Sequence, residues 1–198
     1  MLAISAVGWG LLAVSVALGL LLLWMAAMGV TGRLSLDVGV GRSFHALGPL
    51  TVRMNAPRKT VFEVVSAPYL GRPSQQAAGS VEVLERGSDM VVAAHRTRLR
   101  FFTAITVETV RFEPPQRVTF GLLRGPVPHV EEEFVLRDAD GGTEFSYQGR
   151  LAMDFWILGR LVGRFVAAPT WTSVVRRHLE DVKRAAEERA RAARRRRG

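Results

Sequence analysis

The chain has 198 residues, room for one domain of ordinary size plus an extension. Its 48% apolar content, with ten Phe and four Trp, excludes a disordered chain, and the absence of cysteine excludes disulfides, zinc-thiolate sites and thiol nucleophiles. The formal charge is +9, and every charged side chain follows Gly32. Only Lys59 and Lys183 among the 27 basic residues are lysines, so arginine count alone carries no functional meaning.

Residues 1–32 form the first unit. Leu11 to Val30 is almost wholly apolar, and about 20 helical residues cross a hydrocarbon core. A cleaved signal peptide would need a basic start and a shorter apolar run, and neither is present. The reading is a transmembrane anchor. Nothing basic precedes it, whereas Arg33, Arg42, Arg53, Arg58 and Lys59 follow. The positive-inside bias therefore places the globular part in the cytoplasm, on a single-pass protein of the cell membrane.

Residues 33–49 alternate Leu34, Leu36, Val38 and Val40, but glycines interrupt the pattern. The segment is either a linker or an extra edge strand. The strand from Leu50 to Met54 is clearer. Asn55-Ala56-Pro57 begins a helix whose apolar face is Val61, Phe62 and Val65, and Pro68 closes it. Val81–Arg86, Met90–Leu99, Ala104–Glu113 and Gln116–Leu123 then read as strands separated by turn residues. His129–Leu136 and Thr143–Gly149 follow as a hairpin around Gly141-Gly142. Short links favour antiparallel neighbours. A long helix closes the chain, with Trp171, Val174, Val175, Leu179, Val182 and Ala186 at helical spacing. Pro169 sets its start near Thr170 and leaves Phe155 to Ala167 as a separate helix or gate.

That order resembles the START-like SRPBCC superfamily, in its polyketide cyclase/dehydrase-like branch. The match is carried by Asn55-Ala56-Pro57-Arg58-Lys59-Thr60-Val61-Phe62, by Phe112-Glu113-Pro114-Pro115-Gln116-Arg117-Val118-Thr119-Phe120, by Gly141-Gly142-Thr143 and by Leu179-Glu180-Asp181-Val182-Lys183. It covers Leu50 to Ala190, leaving 191–198 as a basic tail. The resemblance implies an α+β helix-grip: a seven-stranded antiparallel sheet curved around the long C-terminal helix, with a hydrophobic cavity between them. It does not choose the chemistry.

Period-2 alternation puts Val130, Glu132, Phe134 and Leu136 on the core face of their strand. Glu132 is then a carboxylate on an apolar surface. It is either a cavity acid or hydrogen-bonder, or a group at the cavity mouth or paired with Arg96 or Arg98. His178 lies on the apolar stripe of the last helix, a rim residue or a proton carrier. Phe120, Phe134, Tyr147, Trp156, Trp171 and Val175 are candidates for a cavity wall or for plain core. No histidine or carboxylate spacing suits a metal, and no glycine-rich phosphate loop or activated serine suggests a cofactor or nucleophile. The tail arginines Arg194, Arg195, Arg196 and Arg197 would suit a solvated helix end or an anionic lipid surface. Nucleic acid is disfavoured because no aromatic stacking platform accompanies the charge.

Three functions stay open. The first is binding of an apolar molecule, such as a lipid, isoprenoid or polyketide, at the membrane; it needs no catalysis. The second is a cyclase or dehydratase in which Glu132 and His178 or an arginine transfer protons. The third is a ligand-free interaction module. The sequence does not fix the oligomeric state.

Overall fold

A computed structural model describes residues 6–71 and 80–196. Helix α1 (Ala6–Val30) leads into strand β1 (Ser43–Met54) and helix α2 (Arg58–Ser66). Six strands follow: β2 (Val81–Arg86), β3 (Met90–Arg98), β4 (Thr103–Glu113), β5 (Arg117–Arg124), β6 (His129–Ala139) and β7 (Gly142–Met153). The chain closes with α3 (Trp156–Val162), a π-helical turn (Gly163–Ala167) and α4 (Ala168–Arg195).

The seven strands form one antiparallel sheet in the order β1-β7-β6-β5-β4-β3-β2. Consecutive strands from β2 to β7 pair as a meander, while β1 joins the far edge beside β7. Register shifts at Leu47/Leu50, Val83/Glu85 and Val107/Glu108 insert extra residues, and such insertions bend a strand and sharpen its twist. Helix α4 packs on β1 and α2. Its stripe of Val175, Leu179, Val182, Ala186 and Ala190 is buried, as the spacing predicts. The helix-grip architecture expected from the sequence is the architecture found.

One boundary differs, and one open alternative is decided. The first strand starts at Ser43, not Leu50, because residues 43–47 pair with Met153 to Gly149 across the irregularity at Gly48 and Pro49. The alternating Leu34 to Val40 segment is not a strand but an extended strap. Its contacts run from Ile105 N–H, which donates to Thr31 O at 2.9 Å, past the Ser35 hydroxyl on Gly125 O at 2.8 Å, to Asp154. The strap thus crosses the end of the sheet where β1, β4 and β6 begin.

Pro169 does not separate α4 from what precedes it. It sits in the first turn of α4, directly after the π turn, where the N–H it lacks removes one bond from the ladder and the helix runs on through that gap. Residues 156–195 are therefore helical without a break, and α4 begins at Ala168.

Helix α1 is long and apolar enough to cross a membrane: 24 residues from Val7 to Val30, none of that window buried against the rest of the chain. At 1.5 Å per residue this spans about 36 Å, against the roughly 30 Å of a hydrocarbon core.

Candidate functional site between the sheet and helix α4

Strand β6 presents Val130, Glu132, Phe134 and Leu136 inward, and all are buried, whereas Glu131 and Glu133 face outward. Glu131 meets Arg150 at 2.7 Å and Glu133 meets Arg117 at 3.1 Å. Alternation thus separates three consecutive glutamates into two solvated ion pairs and one buried carboxyl.

Glu132 is 9% exposed. Its Oε1 accepts a hydrogen bond from the Tyr147 hydroxyl at 2.6 Å and a second from Trp171 Nε1 at 2.7 Å. Neither Arg96 nor Arg98 reaches it, because Arg96 lies on the outward side of β3 and pairs with Glu82 at 2.6 Å. Burial pushes the Glu132 carboxyl up to about 7, the charge of Glu108 adds to this, and the two hydrogen bonds oppose it. Burial and Glu132 together raise the Tyr147 phenol far above its usual range, so it remains a donor.

The aromatic wall is continuous. Phe134 stands 5.4 Å from Phe120, 5.5 Å from Phe145, 5.0 Å from Tyr147 and 6.2 Å from His178, ring centre to ring centre. Val175 lies in the core about one helical turn after Trp171. Phe120, Glu132, Phe134, Tyr147, Trp171, Val175 and His178 thus meet on the inner side of the sheet and the facing side of α4. Trp156 does not join them; it is exposed on α3. His178 is exposed on α4, with its ring set edge-on to that of Phe134.

A second buried group was missed from the sequence. Glu108 on β4 is 5% exposed, and its carboxylate lies 3.3 Å from His95 Nδ1. The other ring nitrogen of His95 is 3.3 Å from the Tyr69 hydroxyl. Burial pushes Glu108 up to about 7 and His95 down to about 4, so the contact joins a neutral imidazole to a carboxyl rather than two full charges. The signal was available: Ala104, Thr106, Glu108 and Val110 alternate inward on β4 as Val130 to Leu136 do on β6. The His95 ring is held between that partner and Tyr69.

Two open depressions mark the surface. One is on the outward side of α4, lined by Arg164, Ser173, Arg176 and Arg177; the other crosses β5 to β7, where Phe120 and Glu132 line it together with Thr119, Glu131, Glu133 and Arg150. The tail arginines leave from the end of α4 remote from α1, where Arg194 donates to Asn55 O at 3.2 Å. Arg195 and Arg196 lie beside it, and Arg197 falls outside the described residues.

A bent antiparallel sheet gripping one long helix, with polar side chains set into an aromatic inner wall, defines a helix-grip protein. Residues 50–187 match the model of the family described as polyketide cyclase / dehydrase and lipid transport, and the chain belongs to that family. Among solved structures it is similar to the Zhui aromatase/cyclase from a Streptomyces species, at 19% identity and TM-score 0.56, covering 77% of this chain and 98% of that one. It is also similar to a Staphylococcus aureus protein of unknown function, at 10% identity and TM-score 0.59, covering 76% and 98%. A third is the di-domain ARO/CYC protein BexL, at 19% identity and TM-score 0.52; the match covers 76% of this chain and 50% of BexL, so the chain spans half of that protein's length. At these identities the likeness establishes the fold alone. No curated protein matches the chain significantly.

Proposed function

We propose that this protein binds a hydrophobic small molecule, of lipid, isoprenoid or polyketide-like character, between the sheet and α4, and that α1 anchors it in the cell membrane with the domain on the cytoplasmic side. The observation that carries the reading is the setting of Glu132. A carboxyl with a raised pKa is fixed by Tyr147 and Trp171 through one oxygen, within a wall of Phe120, Phe134 and Tyr147, with His178 edge-on to Phe134. Its second oxygen takes no part in those two bonds. Apolar walls supply affinity through burial, and one placed polar group orients the guest. The family's association with lipid transport and with cyclases agrees with a guest of this chemistry.

A second reading, a cyclase or dehydratase, draws on one feature. Glu108 and Glu132 both titrate near neutrality, which suits proton transfer at working pH.

Native mass spectrometry of the full chain, purified in detergent, tests the first reading. The expected result is a stoichiometric apolar adduct that Glu132→Leu weakens. A chain that never carries an adduct, even after incubation with lipid extract, defeats it.

A further inference from the structure

Apart from Leu70 and Leu84, the large exposed apolar side chains of this domain gather at one end of the sheet. Helix α3 and the π turn leave Trp156, Ile157, Leu158, Leu161, Phe165 and Val166 outside, with Ile157 at 70% and Phe165 at 67% exposure. Their inward face is glycine instead. A Cβ on Gly159 would stand 1.8 Å from Asp154 O, and one on Gly163 would stand 2.1 Å from His45 Nε2. A helix that covers a water-soluble domain buries its large apolar residues and exposes polar ones. This one exposes its large apolar residues alongside Arg160 and Arg164 and buries only glycine.

The same end carries two further features. The turn between β3 and β4 holds Phe101, 85% exposed, beside Phe102. The end of α1 is also here, since Thr31 O accepts from Ile105 N–H two residues into β4. The flanking charges are basic: Arg33, Arg98, Arg100, Arg124, Arg160 and Arg164 make no ion pair among the described residues. Large apolar side chains ringed by unpaired arginines match the boundary between acyl chains and anionic headgroups.

We infer that this end of the domain lies in the surface of the bilayer that α1 crosses, with the outward face of α3 and the π turn, and the Phe101-Phe102 turn, inserted among the lipids. The inference rests on the reading of α1 as a membrane anchor. The arginines that meet the headgroups are then those around α3 and the β3–β4 turn. The arginine tail of α4 points away, since 28 helical residues carry it about 42 Å from Ala168. Trp171 and Glu132 lie near the inserted end, because Trp171 stands three residues into α4, so an apolar guest would meet them on leaving the bilayer.

The chain has no cysteine, so single nitroxide labels can be placed at will. The full chain, in nanodiscs of phosphatidylcholine and phosphatidylglycerol, carries a label at Phe101→Cys, Ile157→Cys or Phe165→Cys, with Leu20→Cys in α1 and Arg194→Cys at the far end as references. Collision with oxygen relative to a nickel chelate should exceed the value at position 194 by about threefold or more at 101, 157 and 165, and be greatest at position 20. If position 20 is deep but 157 and 165 match 194, the inference is overturned while the anchor stands. If position 20 itself meets the nickel chelate freely, the anchor reading fails and this one with it.

Discussion

Trp171 on α4 and Tyr147 on β7 donate to the same oxygen of Glu132, at 2.7 and 2.6 Å, so that helix and sheet are joined through one buried carboxyl. Both bonds favour the ionised form, yet burial outweighs them. Removing either donor should therefore raise the pKa of Glu132 further. A hydrogen bond of this kind contributes about 1 kcal/mol, which corresponds to roughly 0.7 pH unit. Trp171→Phe and Tyr147→Phe should each move the titration of the Glu132 side-chain carbon, followed by carbon NMR, upward by about that much. An unmoved titration in both variants would mean that the bonds are absent in solution.

Stability should fall as the solution becomes more alkaline across a defined window. Glu108 and Glu132 have folded-state pKa values raised from 4.5 to about 7, so between these limits the folded chain holds protons that the unfolded chain has released. Unfolding free energy then decreases with rising pH from about 4.5 to about 7 and levels off above, by up to about 3 kcal/mol for each group. Urea unfolding of the detergent-solubilised protein, followed by circular dichroism at pH 5 and pH 8, reads this directly. Glu108→Gln and Glu132→Gln should each remove part of the difference; a profile unchanged in both would place the pH dependence elsewhere.

Much of this arrangement was legible in the sequence because it depends on period. Alternation alone placed Glu132, Phe134 and Leu136 inward, and helical spacing placed Val175, Leu179 and Val182 against the sheet. The partners of Glu132 were not legible. An arginine is the usual partner of a buried carboxylate in a strand, but period also sends Arg96 and Arg98 outward, and the donors came from an aromatic on the next strand and another on a distant helix. Glu108 was overlooked although the same alternation marks it. The strap stayed undecided between linker and strand for a different reason. Leu34 to Val40 alternates like a strand, but what holds it is the side chains of Ser35 and Asp154, 90 and 116 residues away from their backbone partners, and no local pattern encodes such pairings.

Asp154 should prove the residue that fixes the strap. Its buried carboxylate accepts from Val38 N–H at 2.9 Å, from Gly39 N–H at 2.8 Å and from the Arg42 guanidinium at 2.8 Å. Arg42 above all holds its pKa below the usual carboxylate range, so the contribution is complete at neutral pH and is lost only as acid reaches that lowered value. Asp154→Asn keeps the shape but removes the charge, and should cost about 2 kcal/mol at pH 7. It should also open the strap to proteases, which cleave exposed chain. Limited trypsin digestion, with Arg33 and Arg42 as the sites watched, reports this. Equal digestion rates in the wild type and Asp154→Asn would show that the strap is held by something else.

The two glycines facing inward from α3 and the π turn should differ in their tolerance of a methyl group. At Gly159 the added Cβ would meet the carbonyl oxygen of Asp154 at 1.8 Å, a backbone atom fixed by the end of β7. At Gly163 it would meet His45 Nε2 at 2.1 Å, the outer edge of a half-buried ring that can turn aside. Both are helical sites, where alanine is otherwise preferred over glycine by about 1 kcal/mol. At Gly163 that gain offsets much of the cost of turning His45, and Gly163→Ala should change stability by less than about 1 kcal/mol. At Gly159 the helix itself must lift from β7, disturbing the backbone at Asp154 and with it the bonds to Val38 and Gly39, and Gly159→Ala should cost about 2–3 kcal/mol. Urea midpoints of the two variants, measured side by side in the same detergent, decide the order. Equal losses would mean that α3 is not seated on the sheet as closely as the glycine contacts require.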